Sequence, residues 1–105
     1  MEIQITSRHM KASQSLQDTI TDELKKLDKF FDKITSCHVI LDSEHVEKVA
    51  EITMSTFGHQ VVASAKAENI GKAFDDALAK VERQLKKLNA KVKSHKTSPV
   101  KTVEA

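Results

Sequence analysis

Across residues 69–93 the apolar positions Ile70, Phe74, Ala77, Leu78, Val81, Leu85, Leu88 and Val92 follow one another at spacings of 4, 3, 1, 3, 4, 3 and 4. At about 100° per residue they fall within roughly 60° either side of Val81, so the segment is predicted to be an amphipathic helix with one narrow apolar face. Leu16, Ile20, Leu24, Leu27, Phe31 and Ile34 recur at 4, 4, 3, 4 and 3 and predict a second helix, capped by Ser13 and ending near Lys33. Period-two alternation marks the strands. Ile3 and Ile5 share one face of a short strand over residues 2–6, and Ser7 to Lys11 then read as a loop. Cys37, Val39 and Leu41 take the core side of the next strand, followed by a turn at 43–46. Ala50, Ile52, Met54 and Thr56 point inward from a longer strand. Gly58-His59 supplies a turn, since glycine tolerates the positive φ of tight hairpins, and Val61, Ala63 and Ala65 line the last strand. The expected architecture is α+β, in the order β-α-β-β-β-α, with a four-stranded sheet carrying both helices on one face. Residues 1–93 form that domain. Residues 94–105 lack periodicity, hold the only proline, and read as a flexible tail.

Charge changes the picture at the last helix. Its polar face carries Lys72, Lys80, Arg83, Lys86, Lys87, Lys91 and Lys93, whereas the acids Asp75, Asp76 and Glu82 lie at or before position 82. Residues 83–96 hold six basic side chains and no acid. Cations near a helix C-terminus suit its dipole, so part of the pattern serves helix stability. Six like charges at these spacings also repel, and a polyanion relieves that repulsion. Over the whole chain, 17 Lys+Arg nearly balance 15 Asp+Glu, for a net charge of +2. A nucleic-acid signal therefore rests on segregation of charge and not on its total. The first helix is mixed: Lys26, Lys29 and Lys33 form a row surrounded by Asp18, Asp22, Asp28 and Asp32.

The chain of 105 residues suits one domain with a modest core. A single cysteine excludes an intramolecular disulfide, and the polar start Met1-Glu2-Ile3-Gln4 is no signal peptide, so a cytoplasmic location is expected. No apolar run approaches the roughly 18 residues of a membrane span.

Candidate chemistry is sparse. Cys37 and His38 are adjacent on a strand and leave it on opposite faces, so they cannot chelate together. His9, His45, His59 and His95 fall in separate loops or the tail, and no metal site is expected. Cys37 reads as a small core residue. Asp75-Asp76 and Asp22-Glu23 sit on amphipathic helices as solvated surface, and two glycines cannot build a phosphate-cradling loop. No enzyme and no cofactor are expected.

Three RNA-binding layouts separate by mechanism. An RRM stacks bases on aromatic residues of its sheet, but the outward sheet residues His38, Ile40, Glu51, Thr53, Ser55, Val62 and Ser64 include no aromatic ring. The G-x-x-G clamp of a KH domain is absent. A double-stranded-RNA-binding domain, which ends in a basic helix packed on an antiparallel sheet, is the closest plan. It predicts recognition of backbone and shape with strong salt dependence.

The sequence resembles the bacterial ribosome hibernation-promoting factor and ribosome-associated inhibitor family, in its short form. The resemblance is carried by Ile3-Gln4-Ile5-Thr6, Leu24-Lys25-Lys26-Leu27, Phe31-Asp32-Lys33-Ile34, Val61-Val62-Ala63-Ser64-Ala65, Ala73-Phe74-Asp75 and the run from Lys80 to Lys87, in order over roughly residues 1–93. It implies a non-catalytic factor that occupies the messenger and transfer RNA channel of the small ribosomal subunit and silences translation in starved or stationary cells. By position it implies ribosomal RNA contacts from Lys26, Lys29, Arg83, Lys87 and Lys91; Lys80 and Lys86 are added from the charge pattern alone. Three departures stand out. Glu23 occupies a position often basic in the family, which implies a weaker grip by the first helix. Asn69-Ile70-Gly71 replaces the usual Asp-Met-Tyr, and Gly71 costs about 1 kcal/mol against Ala in a helix interior. The tail carries one acid, Glu104, unlike the long acidic tail of the inhibitor branch, and no dimerising C-terminal domain follows. Any role in ribosome pairing therefore implies a second factor, and the isolated protein is expected to be a monomer. The alternative reading from the residues is a protein-interaction module whose basic helix docks on an acidic protein.

Overall fold

The computed structural model describes residues 1–31, 33–56 and 58–93, with side chains as far as residue 88. The elements are β1 (Glu2–Arg8), α1 (Gln14–Phe30), β2 (Ile34–Glu44), β3 (Glu47–Thr56), β4 (His59–Ala67) and α2 (Ile70–Lys93). The β-α-β-β-β-α order matches the expectation. The tail predicted for residues 94–105 lies outside the described residues.

The four strands form one sheet in the order β1-β2-β3-β4. β1 and β2 pair in parallel, joined through α1, whereas β2–β3 and β3–β4 are antiparallel hairpin neighbours. Register aligns the inward side chains in rows. Ile3 lies beside Cys37, Cys37 beside Met54, and Met54 beside Val61; the next row runs Ile5, Val39, Ile52 and Ala63. Leu41, Ala50 and Ala65 form a third. The small residues Ala50, Ala63 and Ala65 lie in the strands on which α2 packs, and α2 answers with Ala73, Ala77, Val81 and Leu85, all buried. Ile20, Leu24 and Leu27 of α1 join the same core.

The predicted Ser13 cap forms, and Asn69 caps α2 in the same way. The Ser13 hydroxyl accepts from the Leu16 amide at 3.1 Å, and the Asn69 side-chain carbonyl accepts from the Lys72 amide at 2.8 Å.

The end of α1 corrects the sequence reading. Phe31 is the C-cap in an extended conformation and Lys33 adopts φ 72°, so the helix ends before Lys33 and Ile34 opens β2. A spacing of three suits a helix and also a strand that carries a bulge. The register slips between Ile34 and Ser36, which inserts Thr35 as an extra residue. Without that insertion Ile34 and Cys37 would face opposite sides of the sheet; with it both are buried. The Thr35 hydroxyl donates to the Ser55 carbonyl at 3.2 Å and holds the bulge. Lys33 consequently leaves the Lys26–Lys29 helical row. Two predicted loops also tighten, since Ser7 and Arg8 continue β1 beside Leu41 and Asp42, and Ser43 and Glu44 continue β2 opposite Lys48 and Glu47.

Candidate nucleic-acid interface

The core positions of α2 decide what its other face can do. With Phe74, Ala77, Leu78, Val81 and Leu85 buried, Lys72, Lys80, Arg83, Lys86 and Lys87 are left exposed. Lys26 and Lys29 are exposed on α1, and the two helices approach one another on the same face of the sheet. The Lys91 side chain lies outside the described residues.

These cations differ in their surroundings. Among the described residues Lys29, Arg83 and Lys87 have no carboxylate within ion-pair distance. Lys26 Nζ lies 3.0 Å from Glu23 Oε2, and the hydrogen bond and charge of Glu23 raise the lysine above its ordinary pKa. Glu23 thus partly neutralises Lys26, on the helix for which the resemblance implied a weaker grip. Lys86 lies 3.8 Å from Glu82, one turn earlier, so the acid just before the basic run does reach into it. Exposed pairs of this kind are worth about 0–1 kcal/mol and yield readily to a phosphate. Lys80 turns aside: its ammonium donates to the Ser64 carbonyl at 2.9 Å, and Gln84 donates to the Val62 carbonyl at 3.0 Å.

The hairpin register brings in residues that sequence reasoning missed. His59, Gln60 and Val61 at the start of β4 meet Gln84, Lys87 and Leu88 around an open depression of about 310 Å³. His59 and Gln60 add polar side chains to the depression that Lys87 also lines. In the sequence they stand more than twenty positions before Lys87, and only the packing of β4 under α2 connects them. Phe30 is the other omission. It stands 79 % exposed at the end of α1, beside the buried Phe31.

Cys37 is buried, which pushes its thiol up to about 12, and no group of three or more His, Cys, Asp or Glu able to hold a metal occurs among the described residues. His9 Nδ1 donates to Asp42 Oδ1 at 2.9 Å, and that bond holds the carboxyl below its ordinary pKa against the opposing effect of desolvation. The pair ties the chain leaving β1 to β2. No described helix is long and apolar enough to cross a membrane.

A mixed sheet backed by two helices, with cations on their outer faces, defines a small α+β domain with a basic helical surface. The chain belongs to the family described as sigma 54 modulation protein / S30EA ribosomal protein, whose pattern it matches over residues 3–93. It is 35 % identical over 94 residues to the ribosome hibernation promoting factor of Pseudomonas putida, an alignment covering 90 % of this chain and 92 % of that one. It is 30 % identical over 95 residues to the Escherichia coli protein of the same name, with 90 % and 100 % covered. The fold is shared with a ribosomal subunit interface protein from Coxiella burnetii, at a TM-score of 0.78 and 24 % identity over 86 % of this chain and 99 % of that one. It is shared likewise with the N-terminal domain of Thermus thermophilus Protein Y, at a TM-score of 0.77 and 24 % identity over 84 % and 99 %. Proteins of this family act as ribosome hibernation factors and are not enzymes.

Proposed function

We propose that this protein is a ribosome hibernation factor that binds the small ribosomal subunit in the messenger and transfer RNA channel, through ribosomal RNA phosphates, and silences translation during starvation or stationary phase. The observation that carries this reading is the segregation of exposed cations along α2 in a chain nearly neutral overall, within a family whose relatives are named for ribosome hibernation. Arg83 and Lys87, one turn apart on α2, are the principal contacts. Lys29 and Lys26 extend them on α1, and Lys80, Lys86 and Lys91 contribute secondarily. Point cations on a helix recognise phosphate position and not base identity, so the domain needs a surface of defined shape. Occupying the channel requires no chemical step.

The test is co-sedimentation with purified small subunits across a salt series, comparing wild type with Arg83→Glu/Lys87→Glu. Counterion release predicts a log–log slope of about −0.7 to −0.9 per phosphate contact, several units in all, and loss of binding in the double variant. Absence of wild-type binding at low salt overturns the proposal and favours an acidic protein as the partner of α2.

A further inference from the structure

Phe30 is out of place for a residue with no function. Among the described residues it is the exposed aromatic side chain, whereas Phe31 and Phe74 are buried in the core. It borders a cleft of about 280 Å³ between the end of α1 and the middle of α2, lined by Phe30, Phe31, Glu82 and Lys86. Lys26 lies one helical turn before it and Lys29 immediately before it; both are exposed. An apolar ring that costs solubility is thus set among the cations assigned above to the RNA backbone.

We infer that the Phe30 ring is a stacking platform for an unpaired base of the bound RNA, with the neighbouring lysines holding the flanking phosphates. This rests on the proposed ribosome reading and adds a contact to a base. A planar base suits the cleft itself better than a phosphate, because Glu82 and Lys86 both line it and pair at 3.8 Å, which leaves no net positive charge there for an anion. A carboxylate there accepts a hydrogen bond from an exocyclic amino group, so cytosine, adenine or guanine fits better than uracil. The surrounding lysines favour RNA over an apolar protein segment, which would bury Lys86 and Glu82 beside it. Bases stacked on aromatic side chains are the usual means by which proteins hold single-stranded RNA.

The chain has no tryptophan and no tyrosine, so Phe30→Trp introduces a single fluorophore at the platform. The experiment titrates wild type, Phe30→Leu and Phe30→Trp with purified small subunits, and Phe30→Trp with short oligo(C) and oligo(U) at low salt. Leucine keeps apolar volume and removes the ring. Phe30→Leu is expected to weaken subunit binding about ten-fold or more, in line with the loss of one stacked base. Phe30→Trp is expected to bind as wild type with quenched indole emission, and oligo(C) to quench more than oligo(U). Unchanged affinity of Phe30→Leu, on a wild-type protein that does bind, overturns the stacking inference and leaves the ribosome reading standing. A blue shift without quenching places the ring against protein and also overturns it. Failure of wild type to bind overturns the ribosome reading itself.

Discussion

Lys80 on α2 donates its ammonium to the backbone carbonyl of Ser64 on β4, at 2.9 Å, and Gln84 repeats the contact one turn later on Val62. β4 is an edge strand, and an uncovered edge is a template for another chain. Two side chains spaced four apart on a helix thus meet two carbonyls spaced two apart on a strand. Lys80→Ala/Gln84→Ala is expected to cost about 1 kcal/mol, since the carbonyls are exposed enough for water to replace the donors. It should also promote self-association. Urea denaturation with light scattering checks both. Lys80→Ala alone should reduce subunit affinity less than Arg83→Glu, because its ammonium is already engaged.

Much of this architecture was legible in the sequence. The inward rows of β2, β3 and β4 followed from alternation, the buried stripe of α2 from its helical spacing, and the start of α1 from Ser13 as a capping residue. The boundary between α1 and β2 was not, because Phe31 and Ile34 continue a helical spacing and the Thr35 bulge that turns Ile34 inward leaves no signature in composition. The cations were visible, but not their partners: Lys80 meets a carbonyl sixteen residues away across a strand-to-helix connection. Phe30 escaped notice because it stands beside the stripe residue Phe31, and adjacent aromatics look alike until one of them is found in solvent.

Cys37 makes stability fall in alkali. Burial pushes its thiol from an ordinary 9.0 up to about 12, so the folded chain holds a proton that the unfolded chain releases. The contribution is complete below pH 9 and is lost as pH rises from about 9 towards 12, at up to about 1.4 kcal/mol per pH unit. Lysines titrate in the same range, so the measurement is the difference between wild type and Cys37→Ala in urea denaturation at pH 8 and 10.5. Wild type should lose more. Thiol-reactive probes should label native Cys37 only as fast as the chain opens.

Thr56 is 1 % exposed, and its hydroxyl has no hydrogen-bond partner among the described residues. A buried donor left unpaired is a penalty that an isosteric methyl removes. Thr56→Val is expected to raise stability by about 1 kcal/mol, seen as a higher urea midpoint with an unchanged slope. A decrease would mean that the hydroxyl is hydrogen-bonded in solution.

Gly71 lies in the first turn of α2, where an added Cβ would meet Asn69 Oδ1 at 3.5 Å, an ordinary van der Waals contact. Gly71→Ala should therefore stabilise by up to about 1 kcal/mol, with the Asn69 cap intact. Asn69→Ala should cost about 1 kcal/mol by stranding the Lys72 amide. Thermal melts of the two variants should move in opposite directions.

The faces of α2 make a paired prediction that separates folding from binding. Leu85 is 2 % exposed, whereas Arg83 and Lys87 point to solvent on the same helix. Leu85→Asp places a charge without a partner in the core and is expected to cost more than about 3 kcal/mol, enough to unfold much of a small domain. Arg83→Glu/Lys87→Glu touches no buried contact, so its circular dichroism and melting temperature should stay close to wild type while subunit binding falls by orders of magnitude. Each variant reads one face. Loss of structure in the charge-reversal variant would move Arg83 or Lys87 into the set of residues that hold the fold, and its binding defect would then say nothing about RNA.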